Sequence, residues 1–171
     1  LHRRFGYTMV YVTHDQTEAL TFADDVVVMY EGEIVQIGTP DELFSRPKHT
    51  FVGYFIGSPG MNVLPVALEG QQAQLGGQTI QLPAAPAGKP AGAIELGIRP
   101  EFVRVGRSGM PVAISKVEDV GRYRIVRVML EGREIAAILG EDDDIPADPK
   151  VSFDPAGINL YADSWRIATE G

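Results

Sequence analysis

One histidine stands where it could reach a phosphate. His14 follows a short β-branched and aromatic run, residues 9–13 (MVYVT), and precedes Asp15, Gln16 and the helix-forming stretch 17–23. A histidine leaving the C-terminal end of a buried strand occupies the place where α/β folds bind ligands, and its ring N–H can donate to a phosphate oxygen. The spacing alone leaves a plainer reading open, a surface histidine that begins a loop. Asp15 with Glu18 has the pattern of an N-cap and capping-box pair for the following helix.

The elements around His14 read as α/β. Residues 26–30 (VVVMY) form a second apolar run, and the turn Glu31-Gly32-Glu33 joins it to residues 34–37 as a hairpin. Thr39-Pro40 followed by Asp41 and Glu42 predicts a short helix with an N-cap, a proline at the first position and acids in the first turn. Pro47 stops it, and a last helix is expected over 50–56, ending at Gly57. Beyond Gly57-Ser58-Pro59-Gly60 the texture changes to short alternating runs: 63–68, 78–82, 93–98, 111–117, 123–130, 134–139, 151–153 and 158–161. Many short strands with turn signals between them predict a small barrel or sandwich. Residues 83–92 (PAAPAGKPAG) read as a low-complexity, mobile connector. The expected division is therefore an α/β unit over 1–57 and an all-β unit over 58–171.

Bulk properties narrow the classes. No apolar run reaches about 18 residues, so no spanning helix is expected. The chain has no cysteine, which excludes disulfides and thiolate metal sites and fits a cytoplasmic protein. The net charge of −8 is the wrong sign for phosphate-backbone binding, and Arg122 and Arg124 fall on the opposite strand face from Arg127. Nucleic acid is not an expected partner.

The segment YVTHDQTEAL, residues 11–20, resembles the switch-histidine segment of ABC ATPases. The similarity continues through Ala23-Asp24, residues 32–40 (GEIVQIGTP) and residues 55–59 (FIGSP). Residues 96–101 (LGIRPE) are similar to a strand signature of the C-terminal domain in the maltose and glycerol-phosphate importer branch. The resemblance implies an α/β fragment of an ABC ATPase core followed by an OB-like small barrel with a regulatory role. It implies that two such cores close head to tail over two ATP molecules with Mg2+, and that His14 contacts the γ-phosphate. Asp15 and Gln16 match the motif and read as structural. The partners so implied are a second copy of the ATPase subunit, the membrane permeases and, indirectly, a solute-binding protein. The implied location is the cytoplasmic face of the membrane.

Other expected parts are missing from the 171 residues. No G-x-x-x-x-G-K-[ST] motif occurs, and Gly88-Lys89-Pro90 fails as one. No acid-bearing strand of the Walker B type precedes Met9. Leu75-Gly76-Gly77-Gln78 echoes the ABC signature but follows His14 instead of preceding it, and reads as a Gly-Gly hairpin turn. The chain is therefore expected to be part of a longer ATPase, to hold no cofactor and to be inactive by itself. The edges of a strand over 9–13 would then lack partners, which predicts oligomerisation or a poorly ordered first fifty residues.

Three further readings of these residues are open. A stand-alone barrel sensing a small anion or sugar would need convergent polar and basic side chains, for which Arg99 and Lys116 are the candidates. A metal-dependent hydrolase would use Asp24 and Asp25 beside His14, but adjacent acids point in different directions. The acidic run 141–144 lacks the alternate spacing and glycine of a calcium loop and reads as solvated. No metal site is expected. Asp119-Val120-Gly121 reads as a bulge or turn, and Trp165 as an apolar lid or interface anchor.

Overall fold

Alternation in two neighbouring strands sets the larger core. In Tyr123–Leu130 the residues Val126, Val128 and Leu130 point inward, and in Arg133–Gly140 so do Ile135, Ala137 and Leu139. The two strands pair with Val128 opposite Ile135 and Val126 opposite Ala137. A slip of one residue would turn every one of these side chains to solvent, so burial holds the register. Glu131 and Gly132 both have positive φ, as the tight hairpin turn requires.

The computed structural model describes residues 6–169. The helices are α1 (Gln16–Phe22), α2 (Pro40–Ser45) and α3 (Thr50–Phe55). The strands are β1 (Val26–Tyr30), β2 (Glu33–Gly38), β3 (Asn62–Pro65), β4 (Ala67–Glu69), β5 (Gln72–Leu75), β6 (Gln78–Gln81), β7 (Ile94–Ile98) and β8 (Val103–Gly106). They continue with β9 (Met110–Pro111), β10 (Ala113–Asp119), β11 (Tyr123–Leu130), β12 (Arg133–Gly140), β13 (Lys150–Phe153), β14 (Ile158–Ala162) and β15 (Trp165–Arg166). The fold is mostly β, with four small sheets around one core: β15-β14-β7-β3, β8-β13-β9, β10-β11-β12 and β4-β5-β6. Every one of these sheets supplies buried apolar residues, among them Leu64, Leu75, Leu96, Val128, Val151 and Leu160. Asn62 ties the first barrel strand to β12: its amide donates to Ala136 O at 2.9 Å and accepts from Ala136 N at 2.8 Å. The expected run 63–68 is broken at Val66, whose N–H turns to Ile94 O.

A second, smaller cluster lies ahead of the barrel, formed by Val26, Val28, Val35, Leu43, Val52 and Ile56. Here β1 and β2 make the expected hairpin, with both Glu31 and Gly32 at positive φ. An irregularity at Val28/Met29 leaves Val35 as the extra residue of β2. It turns both Val35 and Gln36 inward, which alternation alone forbids. The buried Gln36 amide is satisfied by donating to Arg46 O at 3.1 Å and accepting from Lys48 N at 2.7 Å. The other hairpin face carries Val27, Met29, Ile34 and Ile37 exposed.

Three expectations are corrected. Residues 9–13 form no strand: they are irregular, with Val10 90% exposed. A strand needs ladder partners, and among the described residues none lies beside it. The capping box forms at Thr39–Glu42 and not at Asp15–Glu18. Thr39 N–H donates to Glu42 Oε2 at 2.9 Å and Glu42 N–H to Thr39 Oγ1 at 3.3 Å. Asp15 does cap α1, accepting from Thr17 N at 2.8 Å, but Glu18 instead accepts from Thr13 Oγ1 at 2.8 Å. Finally, residues 103–106 and 72–75 are strands that short, weakly alternating runs did not reveal. Gly76 and Gly77 form the turn between β5 and β6, as expected.

Candidate functional site

His14 lies exposed in the bend just before α1. Its position is set by its neighbours. Asp15 holds the first turn of α1, and Gln16 reaches 41 residues ahead, accepting from Gly57 N–H at 2.8 Å and donating to Gly57 O at 3.4 Å. Gly57 has φ +114°, and an added Cβ there would meet Arg99 Nη1 at 2.9 Å, so only glycine fits.

Arg99 is the centre of the seam between the small cluster and the barrel. It leaves the end of β7 and is only 4% exposed. Its Nε donates to Phe44 O at 2.6 Å, its Nη1 to Ile56 O at 2.6 Å and Gly53 O at 3.4 Å, and its guanidinium lies 3.9 Å above the Phe44 ring. Those carbonyls belong to the last turns of α2 and α3, which have no intrahelical donors of their own. One cation thus caps two helix C-termini, where positive charge is favoured. Burial lowers the Arg99 pKa from its ordinary value, with Glu101 opposing; arginine nevertheless stays charged. The expectation that Arg99 could serve an anion site is therefore corrected, since its Nε and Nη1 donate inward to backbone and its Nη2 is buried as well. Lys116, the other candidate, pairs with Glu118 at 2.7 Å. The two do not converge, and the stand-alone anion sensor is not favoured.

The seam continues on β14 and β15. The buried Tyr161 hydroxyl donates to Pro47 O at 3.0 Å, and burial pushes its pKa well above the usual phenol range. His49 caps α3 by accepting Phe51 N–H at Nδ1, 3.1 Å away, and Trp165 packs edge-on against its ring. Trp165 is thus an interface anchor within the chain. Backbone bonds from Thr50 N to Ser164 O and from Arg166 N to Lys48 O close the same contact.

An open cleft of about 550 Å³ runs between Gln16, Tyr54, the 57–61 linker and the outer face of β11 and β12. Arg127 lines it but is paired with Glu118 at 3.2 Å and lies 3.8 Å from Glu134. Among the described residues no group of three or more His, Asp or Glu could hold a metal ion. In the acidic run, Asp143 accepts from Gly140 N–H at 2.7 Å, and Asp144 pairs with Arg107 at 3.7 Å. Asp119 accepts from Gly121 N–H at 2.8 Å, which makes 119–121 a turn. No helix of the described residues is long and apolar enough to cross a membrane.

Comparison with known proteins decides the affiliation. Residues 57–103 match the family model described as the MalK OB fold domain. The chain is 37% identical to the sn-glycerol-3-phosphate import ATP-binding protein UgpC 2 of Agrobacterium fabrum over 180 aligned positions, covering 100% of this chain and 48% of the relative. This chain belongs with the C-terminal parts of carbohydrate-importer ABC ATP-binding proteins. An ABC transporter ATP-binding protein of Sinorhizobium fredii, y4oS, is 40% identical over 159 residues, 91% of this chain and 43% of that protein. UgpC of Paracoccus denitrificans is 43% identical over 143 residues, covering 81% and 39%. The chain spans less than half the length of these importer ATP-binding relatives. What sequence reasoning missed in this family member is the seam: Arg99 was legible as part of LGIRPE, but nothing local signals that it turns to the carbonyls of residues 44, 53 and 56.

Proposed function

We propose that this chain supplies the distal end of the ATP-hydrolysing core and the regulatory barrel of an importer for sugars or related small solutes. The observation that carries the proposal is the collinear match to import ATP-binding proteins, which runs through YVTHDQTEAL and LGIRPE alike. Two structural features support it. His14 is exposed at the head of a capped helix, which suits a contact to one phosphate oxygen. The face of the β1–β2 hairpin bearing Val27, Met29, Ile34 and Ile37 is apolar and uncovered, as expected of a piece of a larger α/β core.

In this reading His14 donates to the γ-phosphate of ATP and holds the transferring group in place, while the phosphate cradle and the Mg2+ ligands come from the other half of the subunit. ATP with Mg2+ supplies the phosphoryl group whose transfer is catalysed by positioning and charge stabilisation. In this reading the chain alone neither holds nucleotide nor hydrolyses it, because its 171 residues carry no G-x-x-x-x-G-K-[ST] phosphate loop. A second ATPase subunit, the membrane permeases and, through them, a solute-binding protein are its partners at the cytoplasmic face of the membrane. The test joins this chain to its nucleotide-binding half and measures ATPase activity for wild type and His14→Ala. A fall of roughly 100- to 1,000-fold in kcat with ATP binding retained is expected. Equal rates for the two proteins would remove His14 from the reaction.

A further inference from the structure

The peptide group joining Ile56 to Gly57 is held from both ends by side chains that come from different parts of the chain. Its carbonyl accepts from Arg99 Nη1 at 2.6 Å, and its N–H donates to Gln16 Oε1 at 2.8 Å. Arg99 belongs to the barrel, at the end of β7. Gln16 begins α1 two residues after His14. We infer that this peptide is a mechanical relay, with Arg99 and Gln16 as positioning residues through which the barrel sets the placement of His14. The inference rests on the proposed ATPase role for its catalytic consequence, and on the geometry alone for the coupling.

Several features make the contact rigid enough to transmit displacement. Arg99 is buried, stacked on Phe44 and bonded to carbonyls of both α2 and α3, so it cannot move without those helices. Gly57 has no side chain to cushion the contact: at its φ of +114° an added Cβ would meet Arg99 Nη1 at 2.9 Å and Pro59 O at 3.2 Å, so the two segments approach backbone to side chain with nothing between. Gln16 binds the N–H and the C=O of Gly57, which belong to the two successive peptide groups on either side of its Cα, so it holds that residue from both flanks. At the receiving end, Asp15 caps α1 and Ala19 N–H donates to Asp15 O at 3.2 Å. A shift of Gln16 therefore moves the helix start that carries His14. Any event that tilts the barrel, such as a second copy or another protein docking on it, would reach His14 by this route. Coupling along such a contact is demonstrated by energetics and not by proximity.

The experiment is a double-mutant cycle on Gln16→Ala and Arg99→Lys, which keeps the buried charge but cannot span Phe44 O and Ile56 O together. In the subunit joined to its nucleotide-binding half, each single variant is expected to lower kcat by roughly threefold to thirtyfold with KM for ATP unchanged. The double variant should be no worse than the worse single one, because both break the same link. Gln16→Glu keeps the 2.8 Å acceptor for Gly57 N–H and should restore most of the rate. Multiplicative losses, or no loss, would overturn the relay. In parallel, amide exchange in the 171-residue chain reads the coupling without nucleotide. Arg99→Lys should lower protection at Gly57 and also at Thr17 and Ala19 of α1; unchanged protection in α1 would overturn the relay even if the subunit is an ATPase. An inactive wild-type subunit would sink the functional reading, while the exchange result would still decide whether the link exists.

Discussion

His49 and Trp165 meet edge to face across the seam, with ring centroids 4.8 Å apart and ring planes inclined at 76°. The histidine uses Nδ1 to accept the Phe51 N–H that opens α3, so its neutral form is the one the fold needs. Trp165 is the only tryptophan in the chain, which makes it a direct reporter of that ring.

The contact predicts an acid-sensitive seam. Burial lowers the His49 pKa, and the nearby Glu95 and Glu31 oppose it without cancelling it; Lys48, its neighbour in the chain, adds no negative charge. The folded state therefore holds its proton less tightly than the unfolded chain, whose histidine titrates near 6.5. Stability from this group is complete above about pH 6.5 and is lost as pH falls from there through the folded-state pKa. Denaturant unfolding followed by Trp165 fluorescence between pH 8 and pH 5 should show that slope, and His49→Asn, a cap that does not titrate, should abolish it. An identical slope in both proteins would assign the effect to other groups.

Tyr161→Phe tests the other side of the seam. The substitution removes one buried hydrogen bond and strands the Pro47 carbonyl while leaving the ring packed. A cost of about 1–2 kcal/mol is expected. In a chain of this size that corresponds to a fall in Tm of roughly 2–8 °C, read by thermal unfolding. An unchanged Tm would mean that water replaces the hydroxyl.

Gly57→Ala should be the more damaging change. It places a Cβ 2.9 Å from Arg99 Nη1 at a backbone angle that side chains rarely adopt. The expected loss is about 1–3 kcal/mol. Gly106→Ala is the control, since nothing lies within 4 Å of its added Cβ and its φ is ordinary. That variant should stay within about 0.5 kcal/mol of wild type. Equal losses at the two positions would show that Gly57 is not confined by Arg99.

Local chemistry made much of the fold legible. Tyr123–Leu130 could be read to its end residues because alternating burial and the Glu131-Gly132 turn are both properties of adjacent residues. The Thr39-Pro40 helix start and the Glu31-Gly32 hairpin were legible for the same reason. The β8 strand was not, because four residues carry too little pattern and its partner, β13, lies more than forty residues away.

By itself, then, the amino-acid sequence determined the family resemblance, the His14 segment, the change from helical to stranded texture near Gly57, and most hairpins, since each depends on residues within a few positions of one another. Only the tertiary structure decided what Arg99, Gln16, Gln36, His49 and Tyr161 do. Apart from His49, which accepts the nearby Phe51 N–H, their partners are backbone groups brought near by folding, for Tyr161 from 114 positions away. A buried polar group takes whichever unsatisfied partner the packing brings within reach. Tertiary context decided residues 9–13 in the same way: their apolar, β-branched composition suits a strand, but a strand exists only where another backbone lies beside it to complete its hydrogen bonds.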